Sequence, residues 1–389
     1  MVALQFHGVQ HYIAQKVLSS ISVKTHTRIE VGSVTIAFTH SVVLQNIFVE
    51  SRQGDTLLSI QTLAADVNLL RLFSHDIVLT NIRVDSLNAH ITRTLPDSSF
   101  NFDFILNALS SGSTSIPTTP DTSTGSVWKI QFGRLTLNDI HGTYDDEISG
   151  LKLRLQLGTL KASLDKFDIN KKHFHADELS LVNTTASVIL TKESQPDESQ
   201  SADVDFGVGA LSLEKVNFIY ENTITGEHYG VDLGTSTLLA EKIDLPSHHI
   251  AVKNLLLENT NVVIVSSKRN ENNTENSSTA VSPWVISLDG LILNDNSAQY
   301  DAQGTTKTKG LDLNHLRLDD LTVRAENLYY SENRMKADIS HTSFREQSGL
   351  KLRELSGGFM LDSLHAQLTD FTVETAASRI HQNILLGYS

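Results

Sequence analysis

The reading of this chain turns on "GLKLRLQLGTLKASL", residues Gly150 to Leu164. From Leu151 to Leu157 every second residue is leucine, with Lys152, Arg154 and Gln156 between. A period of two marks a strand with one face turned to apolar surroundings and the other to water. Glycine-led ribbons of the same kind start at Gly230 ("GVDLGTSTLL") and Gly310 ("GLDLNHLRLDDL"), so the pattern returns every 80 residues.

Around these ribbons the match extends further. "RLTLNDIHGTYDD" (134–146), "ALSLEKVNFIYEN" (210–222) and "GLILNDNSAQYDA" (290–302) superimpose leucine on leucine and tyrosine on tyrosine. Leu135, Leu211 and Leu291 coincide, then Leu137, Leu213 and Leu293, then Tyr144, Tyr220 and Tyr300. A third element follows each ribbon, as in "DELSLVNTTASVILTK" (177–192) and "KNLLLENTNVVIVSSK" (253–268). A diverged copy closing on "TNIRVDSLNAHIT" occupies the first hundred residues. A unit recurring at a fixed period is the signature of a repeat architecture rather than of separate globular domains.

The repeats set the expected organisation: an amphipathic helix over 1–24, repeat 1 over 25–109, a linker over 110–127 and repeat 2 over 128–191. A linker over 192–203, repeat 3 over 204–268, a linker over 269–283, repeat 4 over 284–348 and the start of a further repeat over 349–389 complete it. Leu4, Val9, Ile13 and Val17 give the first segment its helical spacing. The linkers are rich in Ser, Thr, Asn, Asp and Pro and read as solvated excursions. Gly54, Gly142, Gly226 and Gly304 read as turns, and "FNFDFILNAL" (100–109) as a second short helix.

Composition excludes several functions. A net charge of −14 with scattered Lys and Arg argues against nucleic acid. The absence of cysteine removes disulfides, thiolate metal sites and a cysteine nucleophile together. Asp145-Asp146-Glu147 and Asp319-Asp320 read as solvated turn carboxylates, and no phosphate loop, nucleophile elbow or H-E-x-x-H occurs. His173 and His175 would share one strand face, with Glu178 as the nearby carboxylate. Two histidines make half a metal site, and a wet strand face is the commoner meaning of such a pair. No catalytic residue, metal site or cofactor is expected, and the chain reads as a non-enzyme.

The stretch from Ile29 to Ile105, with Gly32-Ser33-Val34 opening a strand, "GDTLL" and the closing "FNFDFIL", resembles the N-terminal region of TamB proteins in the AsmA-like superfamily. The resemblance implies an elongated, bent antiparallel sheet, taco-shaped in section, with a continuous apolar groove that carries phospholipid acyl chains. It further implies the Gram-negative periplasm, an inner-membrane anchor expected but absent from this sequence, and an Omp85-type outer-membrane partner reached through a later C-terminal part. The fold expectation is therefore mainly β: a repetitive β-taco sheet with a short N-terminal helix. The groove is expected along Leu135, Leu137, Leu151, Leu153, Leu155, Leu157, Leu211, Leu213, Leu291 and Leu293. A scaffold for outer-membrane protein assembly, pairing clients at exposed sheet edges, is the alternative. A β-helix acting on polysaccharide is disfavoured, because no repeat of roughly 20–25 residues occurs.

Overall fold

The computed structural model describes residues 27–37, 41–67, 76–96, 98–105, 129–168, 173–193, 205–244, 247–266 and 284–387. The protein is mainly β, with seventeen strands assigned to a single sheet. The helix expected over 1–24, the linkers over 110–127 and 269–283 and nearly all of the linker over 192–203 lie outside the described residues. Of "FNFDFILNAL", Asp103 to Ile105 is helical and the residues after it lie outside the description.

Two compact units divide the chain, one carrying the first six strands and the end of the seventh, the other carrying the rest. In the first unit, β1 (Ile29–Ala37), β2 (Ser41–Glu50), β3 (Thr56–Val67) and β4 (Asp76–Arg93) pair antiparallel in sequence order. Strand β5 (Lys129–Asp146) lies parallel to β4, and β6 (Leu151–Asp168) returns antiparallel. Strand β7 (His173–Leu190) has its start in the second unit and its end in the first.

The second unit continues with β8 (Asp205–Asn222) and β9 (Glu227–Asp244), an antiparallel pair. Next come β10 (His249–Glu258) and β11 (Asn261–Ser266), one interrupted line pairing antiparallel with β9 and parallel with β12 (Val285–Ala302). Strands β13 (His315–Ser331), β14 (Arg334–Glu346), β15 (Lys351–Asp362), β16 (His365–Thr375) and β17 (Arg379–Gly387) follow antiparallel.

The expectation of an antiparallel sheet is corrected where β5 meets β4 and where β12 meets β10 and β11, since these pairings are parallel. A tight turn can only reverse the chain, whereas a parallel neighbour needs a long connection. Arg93 ends beside Asp146, and β5 begins beside Asp76. Strands β4 and β5 therefore run in the same direction, with residues 94–128 between them in the sequence. The linkers at 110–127 and 269–283 fall within connections that precede a parallel pairing.

Three glycine readings also change. Gly142 lies inside β5 and Gly230 inside β9, and the turn before β9 is made by Gly226 at φ 75°. The segment from Gly310 to Asn314 is loop, so that ribbon becomes strand only at His315. Gly150 does stand at a turn, with φ 72°, and a Cβ there would lie 2.7 Å from the backbone nitrogen and side chain of Lys192.

Candidate functional site: an apolar sheet face with a crease

In the first unit the registers align apolar residues in rows running across all six strands. One row is Val31, Ile47, Ile60, Leu87, Ile140 and Leu157; the next is Val34, Leu44, Leu63, Val84, Leu137 and Leu160. A flanking row runs from Ile36 through Leu135 to Ala162, and another from Ile29 through Gly142 to Leu155. The opposite face is mainly polar, as in the row Glu30, Phe48, Ser59, Asn88, His141 and Gln156. Pairing across strands is the unit of sheet stabilisation. In the four apolar rows every such pair is apolar, with Gly142 bearing no side chain.

Between the first two rows each strand advances three residues instead of two: Leu44 to Ile47, Val84 to Leu87, Leu137 to Ile140, Leu157 to Leu160. The extra residues are Gly32, Asn46, Gln61, Ser86, Asp139 and Gly158, side by side across the sheet. Asn46, Ser86 and Asp139 are left-handed, with φ of 54°, 52° and 55°. That conformation costs roughly 1–2 kcal/mol for an L-residue, least for Asn and Asp. An inserted residue of this kind bends a strand and raises its twist, so each strand is creased along one line.

Polar side chains brace the crease. Asn138 Nδ2 donates to Asp85 Oδ1 at 2.8 Å, Thr159 Oγ1 to Asn138 Oδ1 at 3.3 Å, and Ser86 Oγ to Asp139 Oδ2 at 2.9 Å. The Ser86 hydroxyl and then His141 hold the Asp139 carboxyl below its ordinary range. Beside the crease Ile60, Val84, Ile140 and Leu157 are all at most 9% exposed, and in the flanking rows Val49 and Ala162 are buried to the same degree. Leu151, Leu153 and Leu155, further along the same strand as Leu157, are half-buried. Among the described residues, the close strand-to-strand contacts lie between neighbours in the ladder.

The second unit repeats the design. Leu211, Leu238, Leu255, Leu291, Ala325 and Ile339 form one row, and Leu213, Ser236, Leu257, Leu293 and Val323 the next. Its left-handed residues include Lys215, Asn259 and Asp295, at φ of 52°, 52° and 51°. Gly234 faces Lys215 and Asn259, and a Cβ on it would sit 2.7 Å from the carbonyl oxygens of both Glu258 and Asn259. The brace recurs with equivalent residues: Asn294 Nδ2 donates to Glu258 Oε1 at 2.9 Å, and Thr235 Oγ1 to Glu258 Oε2 at 3.4 Å.

Where the rows end, polar and aromatic groups take over. In the first unit Asp146 is 5% exposed and accepts from the Ile148 amide at 2.9 Å and the Ser149 hydroxyl at 2.8 Å, with Arg93 at 3.5 Å. Burial opposes its charge, yet the Ser149 hydroxyl, the Ile148 and Ser149 amides and Arg93 together hold the carboxyl below its usual range. Burial, and then the Asp146 charge, push the Tyr144 phenol up. Phe100 stacks on Phe102 at 5.1 Å and lies 6.2 Å from Tyr144. Phe104, 4% exposed, packs with Val49, Leu57 and Leu58, so this segment covers one end of the apolar face. Asn101 holds it in place through the Thr92 amide at 3.1 Å and the His90 carbonyl at 2.8 Å. The corresponding row in the second unit is Tyr220, Tyr229, Ile264, Tyr300 and Leu316.

Each expected groove leucine thus lies on the apolar face of its unit. Leu135, Leu137, Leu151, Leu153, Leu155 and Leu157 share the first, and Leu211, Leu213, Leu291 and Leu293 the second. Sequence reasoning missed the crease and the contribution of β1 to β4. The signal for the crease was present as the L-x-L-x-x-L spacing of Leu135, Leu137 and Ile140. The histidine pair faces Asp205 rather than Glu178: His175 Nε2 lies 2.9 Å from Asp205 Oδ1 and His173 Nδ1 3.6 Å from Oδ2. The His175 contact is off the hydrogen-bonding direction, and among the described residues no group of three or more side chains is arranged to hold a metal ion. No described helix is long and apolar enough to cross a membrane.

No curated protein matches the chain. The AsmA family profile matches residues 39–262, more than half of the sequence and most of the first unit's creased face. This chain belongs to the AsmA family.

Proposed function

We propose that the chain is a non-enzymatic lipid conduit of the TamB-like kind, holding phospholipid acyl chains against its apolar rows between the inner and outer membranes of a Gram-negative periplasm. The observation that carries this reading is the largely aliphatic face of each unit, half-buried along Leu151, Leu153 and Leu155 and bounded by polar and aromatic groups. Rows of Leu, Val and Ile without a polar pocket suit successive acyl chains better than one shaped ligand. Each methylene taken from water contributes about 0.8 kcal/mol. A row across six strands at about 4.8 Å per step spans roughly 24 Å, longer than the roughly 15 Å of one leaflet's hydrocarbon. Membership of the AsmA family is consistent with the reading. The expected inner-membrane anchor and Omp85-type partner belong to the same proposal.

The test is to purify the protein without detergent and measure bound lipid by native mass spectrometry and solvent extraction. Phospholipid should copurify, or load from vesicles, in a fixed ratio. A chain that stays lipid-free under both treatments refutes the conduit.

A further inference from the structure

The loop between β12 and β13 presents leucines to water from a rigid frame. Leu311 and Leu313 are 54% and 70% exposed, yet Asp312 between them is 7% exposed. The Asp312 carboxylate accepts from the Thr308 amide at 2.7 Å and the Asn314 amide at 3.0 Å. Its carbonyl accepts from the His315 amide at 3.1 Å. His315, itself buried, bonds Asp301 at 2.9 Å and the Thr305 hydroxyl at 3.0 Å, and Gln347 donates to its carbonyl. Drawing Asp312 inward turns its two leucine neighbours outward. A rigid loop does not place two leucines in water to stabilise its own fold.

The neighbouring hairpin tip between β8 and β9 adds Ile224, 48% exposed. Gln303 donates to the Gly226 carbonyl and ties the two tips together. Lys307 and Lys309 are exposed on the same loop, in a chain of net charge −14. Neither forms an ion pair among the described residues, although Lys307 is close enough to Asp301 to favour its charged form. The nearby acids are otherwise engaged: Asp301 with His315 and Gln299, Asp312 with the loop amides, Glu227 with Thr225. Both tips lie beyond the row containing Tyr220, Tyr229 and Tyr300. Apolar side chains beside free ammonium groups match the interface of an anionic bilayer, where leucines enter the acyl boundary and lysines meet phosphates.

We propose that the paired tips at Ile224 and Lys307–Leu313 dock on an anionic lipid surface, beside the end of the second unit's apolar face. The docking agrees with the conduit reading but is measured separately from it.

The chain has no cysteine, so Leu313→Cys accepts a single environment-sensitive label. The label should shift to the blue on vesicles of phosphatidylglycerol and phosphatidylethanolamine, and far less on pure phosphatidylcholine. In cosedimentation, Leu311→Asp with Leu313→Asp should lower the partition at least tenfold. Lys307→Gln with Lys309→Gln should lower it roughly thirtyfold on anionic vesicles only. Leu364→Asp, at an equally exposed turn on the opposite margin, should change nothing. All these positions are exposed, and circular dichroism checks that each variant folds. Unchanged binding by the leucine or lysine variants overturns the proposal, as does a wild type that ignores vesicles or self-associates through these tips. Lipid copurifying with Leu311→Asp/Leu313→Asp reports the conduit alone, so either idea can fail without the other.

Discussion

Replacing Leu153 and Leu155 with aspartate separates a lipid-bearing face from a structural one. Both leucines are half-buried on β6, so each forfeits about half of the roughly 1.5–3 kcal/mol that a fully buried leucine contributes. The pair costs about 2 kcal/mol of stability, which a domain with a typical reserve of 5–15 kcal/mol survives. The cost with an acyl chain in place is larger. Either the carboxylate is desolvated, at several kcal/mol, or it takes up a proton. Protonating an ordinary aspartate at pH 7 costs about 4 kcal/mol. One such cost lowers occupancy roughly a thousandfold, and two lower it further. Gln156→Asp is the control, on the same strand, exposed and opposite His141 on the polar face. Thermal melts followed by circular dichroism establish folding, and native mass spectrometry with lipid extraction reads the load. The expected result is a folded Leu153→Asp/Leu155→Asp protein stripped of lipid, beside a Gln156→Asp protein loaded like wild type. A folded double variant carrying the wild-type load refutes the reasoning, whatever its melting temperature.

Other consequences are more local. Asp139→Gly should leave the urea midpoint nearly unchanged, while Asp139→Val should lose about 1–3 kcal/mol, because a β-branched residue cannot relax at φ 55°; equal midpoints would remove the crease from the account. The Asp146 carboxyl is held below its ordinary value, so its stabilisation is complete above about pH 4 and is lost as pH falls through the native pKa. Denaturation between pH 7 and 2 should therefore show a steeper acid loss in wild type than in Asp146→Asn, and parallel curves would contradict the network at the row's end. Phe104→Ala empties a site that is 4% exposed, with about 3–5 kcal/mol typical of a full core phenylalanine. Released with it, Asn101 should leave the Thr92 amide, whose hydrogen exchange should accelerate selectively.

The β class, the repeat and the wet-and-apolar division were legible in the alternation alone, because period two admits few other meanings. Leu151, Leu153, Leu155 and Leu157 fall on one face as their spacing requires. Pairing order was less legible. Alternation fixes which side a residue faces but not which strand lies alongside, and Asp76 beside Lys129 depends on a connection whose composition announces only solvation. The glycine-led motif misled at Gly230 and Gly310 for another reason. At Gly310 the neighbouring Leu311 and Leu313 are spaced like a strand but held in a loop by Asp312, a tertiary device invisible to periodicity. The histidine pair found its carboxylate on the next strand, at Asp205, and sequence proximity had suggested Glu178.

The crease explains how a long strand can turn without exposing its apolar side. One extra residue in one strand of a sheet breaks its register and sends every later side chain to the opposite face. When each neighbour carries the extra residue on the same line, partners on both sides stay matched, as Gln45 with Thr62 and Ile47 with Ile60, or Asp85 with Asn138 and Leu87 with Ile140. The left-handed φ at Asn46, Ser86 and Asp139 restores the alternation immediately, so the leucines beyond it face the same way as those before. Such a bend must be written into every strand. Asp139, Lys215 and Asp295 accordingly occupy the same place in three copies of the repeat, whereas their chemical type varies. What the copies preserve is a backbone conformation rather than a side-chain chemistry, and that is what a continuous apolar surface requires and a catalytic site does not.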